Sequence, residues 1–433
     1  MTSPAPSTDG TIFALSSGAL PAAIAIVRIS GPAAGDALRR LTGNLPPPRR
    51  AVSRRLHDSA GGLLDRGLVL WMPGPATATG EDIAELHVHG GRAVVAAVMQ
   101  ELSHVRTCRL AQPGEFTRRA FLNGRIDLTA AEGLADLLAA ETEHQRRAAT
   151  WAAEGGLSRR IGDWMDRLRG IAAAIEADIE FAEEEPDAAS DMVRHQAAVE
   201  ALRREVTMLL ASPPAERLRD GVRVLIAGPP NAGKSTLLNA LVGREAAIAT
   251  PMAGTTRDLI EAPIVIEGVP FVVTDSAGLH DAAVGPVERI GIARTVDAIS
   301  GADILLWLGA PGDRPDHPKT IMLASKSDAR AEPPPADAHP ISAISGMGMV
   351  ELRSMLLDDA RSLLPTHDGV TLNLRQRDAL AEAADVLLVT EVDDPVLLAE
   401  HLRLARCAMS TVTGGSGVEE MLDALFASFC IGK

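Results

Sequence analysis

Eight residues constrain this chain more than any others. Gly228-Pro229-Pro230-Asn231-Ala232-Gly233-Lys234-Ser235 fits the pattern G-x-x-x-x-G-K-S. The β-rich run Val222–Ala227 precedes it and the apolar-periodic stretch Thr236–Val242 follows. That order predicts a strand, a phosphate-cradling loop and a helix. Glycines let backbone N–H groups close around phosphates, and the helix N-terminus adds a favourable field. The expected nucleotide contacts are Asn231, Ala232, Gly233, Lys234, Ser235 and Thr236. Lys234 reaches the β- and γ-phosphates and serves catalysis, while Ser235 ligates Mg²⁺.

Further pieces follow in the order such a site needs. Asp275-Ser276-Ala277-Gly278 closes the run Val269–Thr274, so Asp275 suits the magnesium shell and the Gly278 N–H the γ-phosphate. Gly254-Thr255-Thr256-Arg257-Asp258 supplies a threonine for Mg²⁺. Ser325-Lys326-Ser327-Asp328 follows the run Thr320–Ala324. An aspartate there accepts two hydrogen bonds from guanine, donors that adenine lacks, so GTP is the expected substrate. The usual pattern is N-K-x-D. Ser325 departs from it, and its shorter side chain is expected to forfeit contacts that Ser325→Asn restores. Ser342-Ala343 stands where the base oxygen meets a backbone donor. Leu279 occupies the place of a water-orienting glutamine. Leucine cannot orient water, so an acidic residue in the following segment is the candidate.

The rest of the 433 residues sets bounds. At about 150 residues per domain, the length suggests roughly three domains. Strand-like runs at Ala22–Ile29, Gly67–Trp71 and Ile83–Val88, with helical spacing from Ala93 to Leu102, give an α/β domain over 1–118. Helical texture over 119–214 puts Leu128, Ala131, Leu134, Ala135 and Leu138 on one face. Residues 215–367 alternate buried strands, including Ile304–Leu308, with helices, as in a doubly wound parallel sheet. Helical texture returns over 368–433, so the α/β domain interrupts a helical one. The fold class is thus α/β and α multidomain. The acidic stretch Glu176–Glu185, stopped by Pro186, reads as a solvated helix end.

Net charge is −15, and there are seven Phe, four Trp and no Tyr. Bulk charge repels polyanions and aromatic base-stacking is disfavoured, so nucleic acid would need a local basic patch. Arg49, Arg50, Arg54 and Arg55 read as a solvated loop that doubles as such a patch, as do Arg146, Arg147, Arg159 and Arg160. Cys108, Cys407 and Cys430 form no disulfide or zinc pattern, consistent with a reducing cytoplasm. No basic start of a signal peptide precedes Arg28, and no apolar run approaches the ~18 residues of a membrane span. His87 and His89 read as a packed or hydrogen-bonded pair, since no third metal ligand is evident.

Taken together, the chain resembles the MnmE (TrmE) family of bacterial tRNA-modification GTPases over essentially its whole length. The likeness is carried by Ile26–Gly31, Thr79–Leu86, His89-Gly90-Gly91, Pro113–Thr117 and Arg119–Leu128. It continues through P-N-A-G-K-S, A-G-T-T-R-D and V-E-R-I-G-I to the terminal Cys430-Ile431-Gly432-Lys433. The resemblance implies a homodimer acting with the flavin-containing partner MnmG (GidA), as a heterotetramer, on the C5 position of the wobble uridine of tRNA. The N-terminal domain would dimerise and bind a 5,10-methylene- or 5-formyl-tetrahydrofolate through Arg28, Glu85, Arg125 and Lys433. Potassium would be held by Asn231, Thr250, Met252 and Thr255, Mg²⁺ by Ser235 and Thr256, and Glu288 would organise catalytic water. Thr250, Thr255 and Thr256 also join the nucleotide set. Ser16–Ala23 departs from the family's glycine-rich stretch at the edge of the folate pocket. Cys430 reads either as a small packing residue or as a thiol presented to the chemistry, lowered in pKa by nearby basic groups. A different class, a GTPase that switches in ribosome assembly without modification chemistry, lacks any need for the folate set.

Overall fold

A computed structural model of the chain describes residues 10–181, 189–245, 261–276, 297–330, 333–365, 370–389, 392, 394–415, 419–427 and 429–433. These form two compact units. One comprises Met1–Ala135, Ala152–Arg160 and Ser410–Lys433, and the other Asp136–Trp151 and Ile161–Met409.

The first unit contains β1 (Thr11–Leu15), β2 (Ala22–Ser30), α1 (Ala34–Thr42), β3 (Val52–His57), β4 (Leu63–Met72), β5 (Ile83–Gly90), α2 (Arg92–Ser103), β6 (Cys108–Leu110) and α3 (Glu115–Leu122). Six strands form one sheet in the order β3-β4-β5-β2-β1-β6. All neighbours are antiparallel except β1 and β6. Strand β1 is buried on both faces: Phe13 joins the core under α1 and α2, whereas Ile12 and Ala14 pack with Ala111 and Phe116. Its five apolar-rich residues carry too short a signal for sequence reading.

The reading of Arg54 and Arg55 as loop residues is corrected. Both lie on β3, with Arg54 opposite Gly67 and Arg55 opposite Arg66. An edge strand tolerates charge, which hides it from a hydrophobic-period test. In the helix α4 (Leu128–Ala139), Leu128 and Ala131 pack with Phe426 and Phe429, but Leu138 is 48% exposed, so the expected apolar face stops a turn early.

The second unit holds the helices α5 (Glu143–Ala153), α6 (Gly156–Phe181), α7 (Ala189–Leu210) and α8 (Ala215–Asp220), of which α5 and α6 begin or end in the first. Along α6, Trp164, Leu168 and Ile175 are buried, as are Val199, Leu202 and Val206 along α7. Trp164 Nε1 donates to Glu205 Oε2 at 3.0 Å, joining the two helices.

A second sheet follows, from β7 (Val222–Ala227), α9 (Lys234–Glu245), β8 (Glu261–Ile266), β9 (Val269–Asp275), β10 (Ile304–Trp307), β11 (Thr320–Ala324) and β12 (His339–Pro340). Its order is β12-β11-β10-β7-β9-β8, parallel except at the β8 edge. Both faces of β7 are covered, as a parallel sheet requires. Val224 and Ile226 meet α9 and α10 (Met349–Leu363), while Leu225 and Ala227 meet Ala298, Ile299 and Ala302. The chain continues through α11 (Leu374–Val386), α12 (Pro395–Thr413) and α13 (Glu419–Ala427). No helix among the described residues is long and apolar enough to cross a membrane.

Candidate nucleotide site and N-terminal ion-pair site

In an open parallel sheet a ligand crevice lies beyond the strands' carboxyl ends, where the order reverses. Here β7 is that strand, flanked by β10 and β9. Gly228 leaves β7 at φ +150°, and a Cβ there would meet Leu308 at 3.1 Å. Asn231 and Gly233 also take positive φ, +59° and +95°. The loop therefore turns tightly. Lys234, 6% exposed, curls back so that Nζ donates to Gly228 O at 3.0 Å and Pro229 O at 3.1 Å. Ser235 and Thr236 are exposed at the start of α9.

Asp275 ends β9 at 4% exposure, and Ser235 Oγ donates to its Oδ2 at 2.5 Å. A hydroxyl and a carboxylate this close are the hard oxygen donors that Mg²⁺ takes. The neighbouring Ser276 donates its N–H to Ile226 O, and its hydroxyl is buried without a partner among the described residues. The Ser325–Asp328 loop follows β11, with Lys326 Nζ 2.8 Å from Asn231 O and Asp328 exposed. Ser342 follows β12 at 2% exposure, its Oγ accepting from Ser345 N–H at 3.1 Å, and Ala343 is half-buried. Four strand ends thus bring Asn231–Ser235, Asp275, Lys326 and Ser342 to one crevice. Thr250, Met252, Thr255, Thr256, Gly278, Leu279 and Glu288 lie outside the described residues.

In the first unit, register sets Arg28 on β2 directly opposite Glu85 on β5. Arg28 Nε and Nη2 approach Glu85 Oε1 at 2.9 and 2.8 Å, and the guanidinium lies 5.9 Å from the centre of the Phe116 ring. His87 Nε2 is 3.3 Å from the other Glu85 oxygen, whereas His89 pairs with Asp65 at 2.8 Å. The histidines thus have separate partners, and no group of metal-holding side chains occurs among the described residues. Burial raises the Asp65 pKa, but hydrogen bonds from the backbone and ring of His89 outweigh it and leave the pKa lowered.

The chain's last described residues dock beside this pair. Phe116 N–H donates to Lys433 O at 3.2 Å, and Pro113 bridges to Ile431. Cys430 is exposed, with its carbonyl accepting from Lys433 N–H at 3.3 Å. Arg125 is tied elsewhere, its Nε donating to Thr77 O at 3.1 Å. Ser17 Oγ accepts from Ile26 N–H, which anchors the departing Ser16–Ala23 segment to β2.

Sequence reading gave no role to Glu81, Glu115 and Arg119, although each stands in a stretch that carries the resemblance. Arg119, 2% exposed, spans Glu81 Oε2 at 3.0 Å and Glu115 Oε1 at 3.3 Å. Arg109 meets Glu115 Oε1 at 2.5 Å, and Ser30 Oγ donates to Glu81 Oε2 at 2.8 Å. Desolvation raises the Glu115 pKa, but Arg109 and the Gln112 N–H overcome it and hold the carboxyl below its usual value. The proposed basic patch at Arg146 and Arg147 is partly neutralised, since both pair with exposed Glu143, whose pKa falls to about 2. Arg159 donates to Glu154 O.

Comparison with known proteins agrees along the chain. The family model of the GTP-binding protein TrmE N-terminus matches residues 11–125, and that of the MnmE helical domain matches residues 128–430. Two similar proteins are both called tRNA modification GTPase MnmE. That of Rhizorhabdus wittichii is 56% identical over 100% of this chain and 98% of its own. That of Sphingopyxis alaskensis is 52% identical over 94% of this chain and 100% of its own. Among solved structures, Era of Aquifex aeolicus aligns at 26% identity over 40% of this chain and 69% of its own, with a TM-score of 0.24. The sheet, the phosphate loop, the helical elements on either side and full-length identity of this size establish that the chain belongs to the MnmE family of tRNA modification GTPases.

Proposed function

We propose that this chain is the GTP-hydrolysing subunit of a system that modifies C5 of the wobble uridine of tRNA with a (carboxymethyl)aminomethyl-type group. The observation that carries the GTPase half is the contact between Ser235 Oγ and Asp275 Oδ2, 2.5 Å apart at the mouth of the phosphate loop. These oxygens fit Mg²⁺, with Ser235 as a direct ligand alongside Thr256 and Asp275 behind it. The ion would neutralise charge developing on the transferred phosphoryl group. Lys234 holds the β- and γ-phosphates, Asp328 reads guanine, and Glu288 positions the attacking water.

Of the potassium set only Asn231 is described. It is exposed in the loop at positive φ, and a short polar side chain there supports the reading as a cation ligand. Potassium would supply charge at the nucleotide and hold two G domains together. For the tetrahydrofolate, Arg28 and Glu85 offer an oriented guanidinium and carboxylate on a half-exposed sheet face, next to Phe116 and the Lys433 backbone. That donor set fits a ligand with both a carboxylate and an amino-pterin edge. Arg125 and the Lys433 side chain would complete it, with Cys430 exposed nearby. A homodimer, the flavin-containing MnmG and a cytoplasmic setting belong to this reading. The absence of a disulfide among Cys108, Cys407 and Cys430 supports the last.

The test deletes the gene and measures wobble-uridine nucleosides of bulk tRNA by mass spectrometry, with wild-type and Cys430→Ser genes added back. Loss of the C5-modified uridines, restored by wild type alone, is expected. Unchanged nucleosides in the deletion would instead favour a ribosome-assembly switch.

A further inference from the structure

The base-reading loop and the phosphate loop come together at Gly233, where a Cβ would stand 3.9 Å from Lys326 Cε and 4.0 Å from Ser325 Cβ. Two side chains join them. Ser325 Oγ donates to Ala232 O at 2.6 Å, and Lys326 Nζ donates to Asn231 O at 2.8 Å. The base loop is itself braced: Ser325 O accepts from Arg330 Nε at 3.1 Å, Ser327 N–H donates to Ile341 O at 3.0 Å, and Ser327 Oγ donates to Ala324 O at 2.7 Å.

A hydroxyl has one proton to donate. Ser325 has committed it to a backbone carbonyl, so it has no donor left for an acceptor atom of a base. We infer that Ser325 is a positioning residue for the phosphate loop, acting through the Ala232–Gly233 peptide, and not a base-contacting residue. The peptide is planar and trans, so its C=O and N–H point in opposite directions. Anchoring Ala232 O to the base loop fixes the Gly233 N–H toward the opposite side, where the loop closes around phosphate. The departure from asparagine therefore keeps the link between base loop and phosphate loop and leaves guanine reading to Asp328. This inference rests on the guanine-nucleotide reading above.

The test uses the full chain. Dissociation constants for GDP and 7-deaza-GDP are measured by calorimetry for wild type, Ser325→Ala and Ser325→Thr, together with amide exchange of residues 231–234 without nucleotide. Ser325→Ala is expected to weaken both ligands by one common factor, about fivefold to tenfold for a lost hydrogen bond, and to speed exchange. Ser325→Thr, which keeps the hydroxyl, is expected to restore both. Weakening confined to GDP would place Ser325 against the base N7 and overturn the inference, as would unchanged affinity and exchange in Ser325→Ala. If wild type fails to bind GDP, the guanine reading falls; faster exchange in Ser325→Ala would still support the tether, and unchanged exchange would remove it.

Discussion

Arg28 and Glu85, 57 residues apart in the chain, face each other across β2 and β5, with two guanidinium nitrogens within 2.9 Å of one carboxylate oxygen. The second oxygen of Glu85 remains within reach of His87, so the pair offers a ligand an oriented acceptor beside an oriented cation. Replacing Glu85 with Gln is expected to lower affinity for 5-formyltetrahydrofolate at least tenfold, as calorimetry can read. The pair is part-exposed, so thermal stability should fall by only about 1 kcal/mol. Unchanged affinity would remove the pair from the ligand site.

The Arg109–Glu115–Arg119–Glu81 chain, buried at Glu115 and Arg119, predicts acid lability. The Glu115 pKa is depressed in the folded state. Its contribution is therefore fully present above the ordinary glutamate pKa near 4.5 and is lost as pH falls through the lower folded value. Melting curves of Glu115→Gln should lose that part of the acid-induced drop while showing a deficit at neutral pH. Arg119→Ala takes one of two guanidinium partners from buried Glu115 and the only one from part-exposed Glu81 among the described residues, and is expected to cost about 3 kcal/mol.

Docking of the terminal segment rests on two glycines. A Cβ on Gly114 would stand 2.3 Å from Phe426 O, and one on Gly432 would stand 2.1 Å from Leu15 O, both at positive φ. Side chains at such φ cost about 1–2 kcal/mol before any clash. Gly432→Ala should release residues 430–433, seen as faster amide exchange at Phe116, while a Gly18→Ala control, with open space around it, leaves exchange unchanged.

Gln145 links α5 to α8, the helix that precedes the strand carrying the phosphate loop. Its Nε2 donates to Leu218 O and Arg219 O at 3.0 and 3.2 Å, and its Oε1 accepts from Glu141 and Thr142 N–H, both at 2.8 Å. Gln145→Ala removes all four and is expected to destabilise by about 2–4 kcal/mol. Gln145→Glu keeps the acceptor and loses the donors, so exchange should rise at 220–222 more than at 141–142.

GTP hydrolysis is expected to run faster in K⁺ than in Na⁺ at equal ionic strength, and Glu288→Ala should lower kcat by roughly 10²-fold or more. Equal rates in the two salts would exclude Asn231 and its loop as a potassium site.

Sequence by itself made the phosphate loop and the strands that lead toward it legible. The phosphate loop, Asp275 and Lys326 stand at the ends of strands that were legible from their apolar runs, because parallel strands buried on both faces are nearly continuous in hydrophobicity, whereas the two-residue β12 before Ser342 carries no such run. Their meeting follows from strand ends sharing one edge of a parallel sheet. The N-terminal sheet was only half legible. Strand β3, VSRRLH, is an edge strand whose arginines break the apolar period, and β1 is too short to show one.

Only tertiary structure decided which distant groups touch. Cross-strand register made Arg28 the partner of Glu85, and close backbone approach at Gly114 and Gly432 seated the terminal segment on Phe116 and Leu15. It also turned Ser325 from an apparent loss into a bond to Ala232. Each of these depends on long-range pairing geometry, which one-dimensional periodicity does not encode, whereas a phosphate loop is written in consecutive residues.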